Sequence, residues 1–254
     1  MTVRIGIAGL PGRMGREVSA LALRHPAVTV TGGWSRGNQD AVLGVPVTSD
    51  LPALLATCEV LIDFTRAAAT PTVATACAAA GVPLVTGVTG HNEAEEASLR
   101  EAANTVAIFQ AANMSLGVNA MLAVLPGLVR ALEGYDLELV ESHHRHKADA
   151  PSGTALALAR VMADTSGAPL AERAVYGREG ASLRQQPEIG IHAVRAGGNP
   201  GEHSVILASD GEEIRLSHRA FNRSSYAEGA LKAARIIIGQ PAGWYEPVTL
   251  PGFL

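Results

Sequence analysis

A chain of 254 residues with 47% hydrophobic and 17% charged side chains can bury a sizeable core, which excludes an intrinsically disordered protein. Its formal net charge is -4, with no block of Lys or Arg, so a nucleic-acid partner is not expected. Cys58 and Cys77 stand in neither a metal-like nor a C-x-x-C spacing and read as buried thiols of a reducing cytoplasm. The N-terminus lacks a charged n-region and cleavage site, and Pro71, Gly81 and Pro83 interrupt the Ala/Thr-rich stretch 67–90. A soluble, cytoplasmic protein with no membrane partner is therefore expected.

In chain order, 3–8 (VRIGIA) reads as a buried strand, followed by a glycine-rich turn over 9–15 and a helix to about residue 24. Strands are expected at 27–33 and 60–64, a helix at 67–80, a strand at 83–86, a helix at 93–103 and a strand at 106–108. This alternation predicts a doubly wound parallel sheet covered on both faces. The pattern changes near Asn113: a helix at 119–131, a strand at 136–142 and a helix at 154–165 precede strands at 188–195, 203–209 and 213–219. Asp210-Gly211 suits a hairpin turn. A last helix, 225–238, is expected to pack back on the first domain. The expected architecture is α/β: a Rossmann-like domain of residues 1–114 and 225–254, and an α+β domain of residues 115–224 with an open mixed sheet. Hinges are placed at 113–115 and 222–225.

Gly9-Leu10-Pro11-Gly12-Arg13-Met14-Gly15 joins a buried strand to a helix, where backbone amides can approach a pyrophosphate if side chains do not intrude. The spacing is G-x-x-G-x-x-G, a departure from G-x-G-x-x-G. At the end of the second strand, where an acidic residue would accept the ribose 2′-hydroxyl of NAD, stand Ser35 and Arg36, which suit a 2′-phosphate. NADPH is the preferred cofactor on this reading, and NADH the secondary one. Gly87-Val88-Thr89-Gly90 and Ala111-Ala112-Asn113-Met114-Ser115 follow later strands at the same edge, where such sheets place ligands, although turn glycines and a helix cap explain them equally.

The densest chemistry is Glu141-Ser142-His143-His144-Arg145-His146-Lys147, followed by Asp149-Ala150-Pro151-Ser152-Gly153-Thr154. On a strand His144 and His146 share one face and His143 the other, and no cysteine is near, so no metal is expected. An acid–base and anion site fits better. Ser152, Gly153 and Thr154 at a helix start form a carboxylate cradle, and Lys147 and His144 add positive charge. His143 shares a face with Glu141, whose carboxylate would favour the protonated ring and a role as proton donor.

The run His143-His144-Arg145-His146-Lys147 with Ala150-Pro151-Ser152-Gly153-Thr154-Ala155 resembles the signature of the dihydrodipicolinate reductase family. Gly12-Arg13-Met14-Gly15, Ile62-Asp63-Phe64-Thr65, Ala111-Ala112-Asn113, Val194-Arg195-Ala196-Gly197 and Gly201-Glu202-His203 match it in order over nearly the whole chain. The resemblance implies reduction of 4-hydroxy-tetrahydrodipicolinate, a cyclic dicarboxylate of lysine and diaminopimelate biosynthesis, by a homotetramer assembled through the open sheet. It assigns His143 as proton donor and Lys147 as second catalytic cation, with His144, Gly153 and Thr154 holding substrate carboxylates. Gly9, Leu10, Pro11, Gly12, Arg13, Met14, Arg36, Gly87, Val88, Thr89, Ala111, Ala112, Asn113 and Met114 would line the cofactor. The sequence departs from the family at Ser35, where an acid is common, at Val88, where a threonine is usual, and at Met114, where a phenylalanine is usual. A dehydrogenase of another small acid and a non-catalytic NADPH sensor are the rival readings.

Overall fold

Runs of β-branched residues alternate with helices through the first half of the chain. The computed structural model, which describes residues 2–37 and 40–254, forms β1 (Val3–Ala8), α1 (Arg13–Ala22), β2 (Val28–Trp34), β3 (Ala41–Val42), β4 (Val45–Thr48), α2 (Leu51–Leu55) and β5 (Val60–Asp63). A 3-10 turn (Ala67–Ala69) leads into α3 (Thr70–Ala80), β6 (Leu84–Thr86), α4 (Glu93–Ala102) and β7 (Ala107–Gln110). Next come α5 (Leu116–Ala131), β8 (Asp136–His143), α6 (Gly153–Thr165), α7 (Leu170–Arg173) and β9 (Ala174–Tyr176). The chain ends with β10 (Ile189–Arg195), β11 (Glu202–Ala208), β12 (Glu213–Arg219), α8 (Ser224–Ile237) and β13 (Gly243–Tyr245). Two units result, one of residues up to Leu116 together with Arg223–Leu254, the other Gly117–Asn222.

In the first unit the strand order is β13-β7-β6-β5-β1-β2-β4-β3. All neighbouring strands run parallel except β3 and β4. Alternation within each strand feeds two cores. Ile5, Ile7, Val60 and Ile62 pack with α1 and α8 on one face, while Ala8, Leu61, Leu84 and Ile108 pack with α2, α3 and α4 on the other. The chain runs from β1 outward to β2, β3 and β4, then crosses back through α2 to β5 on the other side of β1. The carboxyl end of β1 is therefore the switch point at which a doubly wound sheet opens a ligand crevice.

The second unit has the order β12-β11-β8-β10-β9. β10 runs parallel to β8 and β9, whereas β11 is antiparallel to β8 and β12. Helices α5 and α6 cover one face of this mixed sheet with Met121, Leu125, Leu158 and Met162. β8 alternates without exception, burying Leu137, Leu139, Glu141 and His143. On its other face Glu138 pairs with Arg178, Arg184 and His192, and Arg178 also pairs with Glu188. β11 and β12 meet at the expected hairpin, where Ser209 N–H donates to the Glu212 carbonyl at 2.9 Å.

Several boundaries differ from expectation for local reasons. The segment expected as one helix over 67–80 divides because Pro71 sits at the start of α3, where a missing N–H costs nothing. Helix α1 begins at Arg13, inside the predicted turn, so Gly12 is its N-cap. Unpredicted β3, β4, α2, α7, β9 and β13 are each five residues or fewer, too short to show a period.

Candidate active site

The glycines of the first turn have separate steric reasons. Gly9 has φ +79°, and a Cβ there would lie 2.8 Å from the Phe64 carbonyl oxygen. A Cβ on Gly15 would lie 2.3 Å from the Gly9 carbonyl oxygen, so Gly15 permits α1 to start tight against the strand end. Gly12 caps α1 with no side-chain hydrogen bond, which leaves the first turn of the helix to an anion. These features fit a dinucleotide pyrophosphate. Arg13, Met14, Gly87, Val88 and Thr89 line one cleft of about 590 Å³ with Phe64, Thr65, Arg66 and Ala67.

The other predicted cofactor residues lie outside that lining. Arg36 is exposed at the end of β2, its guanidinium donating to the Ala68 carbonyl at 3.4 Å, and Ser35 Oγ accepts from Gly37 N–H at 3.3 Å. In the 111–115 loop, Asn113 Oδ1 accepts from Ser115 N–H at 2.9 Å, turning the chain into α5, and Ala112 is exposed. The side chains of Leu10, Ala111 and Met114 belong to the core. Leu10 fills the space left by Gly33, where a Cβ would lie 2.3 Å from its Cδ2. These three can offer a ligand only their backbone. Phe64, Thr65 and Arg66 received no role from the sequence. Their signal is the position just after β5, the strand beside β1.

In the second unit the apolar face of β8 ends in two polar residues, Glu141 and His143, both buried. Glu141 is wholly enclosed. Its Oε2 lies 2.5 Å from His143 Nδ1 and accepts from Arg195 Nη1 at 2.8 Å. Its Oε1 accepts from Arg195 Nη2 at 2.7 Å and from Ser152 N–H at 3.0 Å. Burial alone would raise this carboxyl, but the bonds from Arg195, His143 and Ser152 outweigh it and hold the group below its usual value. Glu141 is thus a carboxylate, and His143 Nδ1–H donates to it.

The net effect on His143 runs opposite to expectation. Burial lowers its pKa, Glu141 raises it, and Lys147 and Arg195 lower it again, leaving the ring below the ordinary histidine value. The expected gain from Glu141 exists but is outweighed. Ser152 is the N-cap of α6: Ala155 N–H donates to its Oγ at 3.1 Å, and His203 Nε2 lies 3.1 Å from the same oxygen. The Ser152 hydroxyl is therefore buried and engaged, which corrects its role as an open ligand; Gly153 and Thr154 remain at the accessible edge of the turn. Burial drives His203 down to about 4, so it is neutral, and its ring stands edge-on to His143 with centroids 5.2 Å apart.

Strand β8 stops at His143, so the strand-face argument does not extend to the next histidines. His144 and His146 lie in a turn with ring centroids 6.3 Å apart, closed by Lys147 N–H donating to the His144 carbonyl at 3.1 Å. His144 N–H donates to the Asn199 carbonyl at 2.8 Å, and Lys147 Nζ lies 2.8 Å from Asp149 Oδ2. Among the described residues no group of three or more His, Cys, Asp or Glu side chains is arranged to hold a metal. His143 and the Ser152 turn thus meet through Glu141 at the end of β8, with Lys147 close enough to act on the charge of His143, while the His144 ring lies against His146. Arg195 and His203 complete the cluster. Both stand opposite β8 in register, Arg195 beside His143 and His203 beside Glu141, a pairing visible only once the sheet is assembled.

A doubly wound sheet with a glycine turn at its switch point, joined to a mixed-sheet unit bearing a buried acid–base cluster, defines a dinucleotide-dependent oxidoreductase. Comparison with known proteins narrows this class. Residues 3–114 match the family description "Dihydrodipicolinate reductase, N-terminus" and residues 117–248 match "Dihydrodipicolinate reductase, C-terminus". The chain belongs to the dihydrodipicolinate reductase family. It is 43% identical to the 4-hydroxy-tetrahydrodipicolinate reductase of Halorhodospira halophila over 97% of each chain. It is 45% identical to that of Rubrobacter xylanophilus over 96% of each. In fold it resembles the dipicolinate-bound dihydrodipicolinate reductase of Paenisporosarcina sp. TG-14, with a TM-score of 0.78 and 22% identity over 97% of this chain and 98% of that one. An amine dehydrogenase from Mycobacterium smegmatis shares the fold at a TM-score of 0.67 and 14% identity, over 100% of this chain and 97% of that one.

Proposed function

We propose that this protein reduces 4-hydroxy-tetrahydrodipicolinate to tetrahydrodipicolinate, with residues 115–224 as its substrate domain and NADPH preferred over NADH. The observation that carries the reading is the cluster at the end of β8, where His143, held by Glu141, adjoins Lys147 and the α6 start. The relatives' name supports the same reaction. Gly9, Leu10, Pro11, Gly12, Arg13 and Met14 would carry the dinucleotide phosphates, with Ser35 and Arg36 at the 2′-phosphate. Gly87, Val88, Thr89, Ala111, Ala112, Asn113 and Met114 would flank the nicotinamide, the last group partly through backbone atoms. When bound, the cofactor supplies the hydride.

The chain's own residues do the rest. Gly153 and Thr154, at the positive end of α6, receive one substrate carboxylate, and Lys147 and His144 offset the remaining charge. Loss of the 4-hydroxyl as water leaves a carbon–carbon double bond conjugated with the ring imine, and addition of hydride at C4 of that system leaves an electron-rich enamine. His143, assisted by Lys147, delivers the proton that completes reduction. A lowered pKa makes the His143 imidazolium a stronger acid, which favours delivery but reduces the protonated fraction at neutral pH. The same reading has the enzyme work as a homotetramer in the cytoplasm, the open face of its second sheet serving assembly.

The test is the initial rate of nicotinamide oxidation with freshly generated cyclic substrate, using NADPH and NADH in turn, for wild type and Arg36→Ala. Substrate-dependent oxidation is expected, with kcat/KM for NADPH falling selectively in the variant. Oxidation with neither cofactor would sink the reaction. Equal losses for both would remove Arg36 from the 2′-phosphate.

A further inference from the structure

Glu141 is the most heavily engaged polar side chain of the second unit, and the proposed chemistry gives it no step. It sits on β8 with no exposed surface, bonded to three separate parts of the site. One is the proton donor, through His143 Nδ1 at 2.5 Å. Another is the carboxylate-binding turn, through Ser152 N–H at 3.0 Å. The third is Arg195 of β10, whose two terminal nitrogens reach both carboxylate oxygens at 2.7 and 2.8 Å. Arg195 Nη2 also donates to the Asp149 carbonyl at 2.6 Å, and Asp149 in turn pairs with Lys147. A planar guanidinium holding a carboxylate by two parallel bonds fixes its rotation as well as its position.

We propose, on the reading of the reaction given above, that Glu141 is a positioning residue that holds the proton donor and the substrate-carboxylate turn in one frame, with Arg195 locking that frame from the neighbouring strand. Two consequences are specific to this arrangement. The first is the tautomer. A carboxylate can only accept, so His143 Nδ1 carries a fixed hydrogen and Nε2 is the nitrogen that gains and loses the catalytic proton. The second is charge. The groups facing His143 are Glu141 on its own strand, Arg195 on β10, Lys147 in the following turn and His203 on β11. Of these, only Glu141 favours the protonated ring. Loss of its charge lowers the His143 pKa further, with burial, Lys147 and Arg195 left unopposed.

The glutamate's neutral isostere separates positioning from bulk stability. With Glu141→Gln, kcat at neutral pH is expected to fall by about 10²–10⁴-fold, the range for a misplaced or deprotonated general acid. The rate limb that declines as pH rises through the His143 pKa should also move to lower pH, while NADPH affinity stays unchanged. A merely structural role would depress kcat at every pH without moving that limb, and that result would overturn the proposal. Nitrogen-15 NMR of the wild-type histidine rings gives a second readout that requires neither a stable variant nor turnover. His143 is expected to hold its hydrogen on Nδ1 and to titrate at Nε2. A neutral ring protonated at Nε2 would refute the frame whatever the variant does. Failure of wild type to turn over the cyclic substrate would instead count against the proposed reaction, leaving the tautomer measurement to decide on Glu141.

Discussion

Asp63 ends β5 with its carboxyl wholly buried, one oxygen accepting from Thr65 N–H at 2.8 Å and no partner for the other among the described residues. Desolvation, only partly countered by Thr65, lifts it from 3.8 to about 6. The sign follows from linkage. An acid with a raised folded pKa adds stability in full below its unfolded pKa, and that contribution is lost as pH rises through about 6. The shift corresponds to about 3 kcal/mol. Asp63→Asn keeps an oxygen for Thr65 and cannot ionise, so its stability relative to wild type should rise by most of that amount between pH 4 and pH 8. Both tryptophans, Trp34 and Trp244, lie in the first unit, so urea unfolding followed by tryptophan fluorescence reads it directly. An equal difference at both pH values would refute the assignment. His203 behaves oppositely: its pKa is depressed to about 4, so it adds stability above pH 6.5 that is lost as pH falls towards 4. At this scale the sequence was informative about neighbours and silent about solvation. Glu141 and His143, two apart on a strand, were legibly on one face. The downward net shift of His143 was not, because it depends on burial and on Arg195, 54 residues from Glu141 in the chain.

Helices carry a comparable division. The periods of α1, α6 and α8 were readable because each spans ten residues or more with buried residues recurring at helical spacing. What α8 packs against was not. A Cβ on Gly229 would lie 1.7 Å from the carbonyl oxygen of Met114, so this glycine lets α8 lie directly on the 111–115 loop. Gly127 in α5 has no atom within 4 Å of the corresponding position. The two helix glycines therefore predict opposite outcomes. Gly229→Ala forces backbone apart and should destabilise the protein by about 1–3 kcal/mol. Gly127→Ala should stabilise by about 0.5–1 kcal/mol through lost chain entropy alone. Thermal or urea denaturation of the pair checks this, and equal effects would contradict the packing described for α8. The α6 start shows the same limit. Ser152 was legible as a helix-start residue, but its hydroxyl is consumed by Ala155 and His203, and His203 becomes adjacent only through the antiparallel pairing of β11 with β8.

At the scale of the whole chain, strand–helix alternation specified the doubly wound sheet, and the rhythm changes near Asn113, a few residues before the second compact unit begins at Gly117. The long histidine–lysine run located the family more sharply than the glycine turn, whose steric demands many nucleotide-binding folds share. Short edge elements such as β9 and β13 escaped because their pairing is decided by neighbours distant in sequence. The charged outer face of the second sheet was likewise invisible as a unit, since Glu138, Arg178, Arg184 and His192 meet only across two strands and the loop between β9 and β10. No helix among the described residues is long and apolar enough to cross a membrane.

We place the acid–base centre of a nicotinamide-dependent reduction at the end of β8. Its most direct test is single-turnover and steady-state oxidation of NADPH with the cyclic imine dicarboxylate, comparing wild type with His143→Ala, alongside NADPH binding to both. A kcat about 10²–10⁴-fold lower is expected in the variant, with NADPH affinity the same. An unaltered kcat, or a loss traceable wholly to weakened NADPH binding, would contradict it.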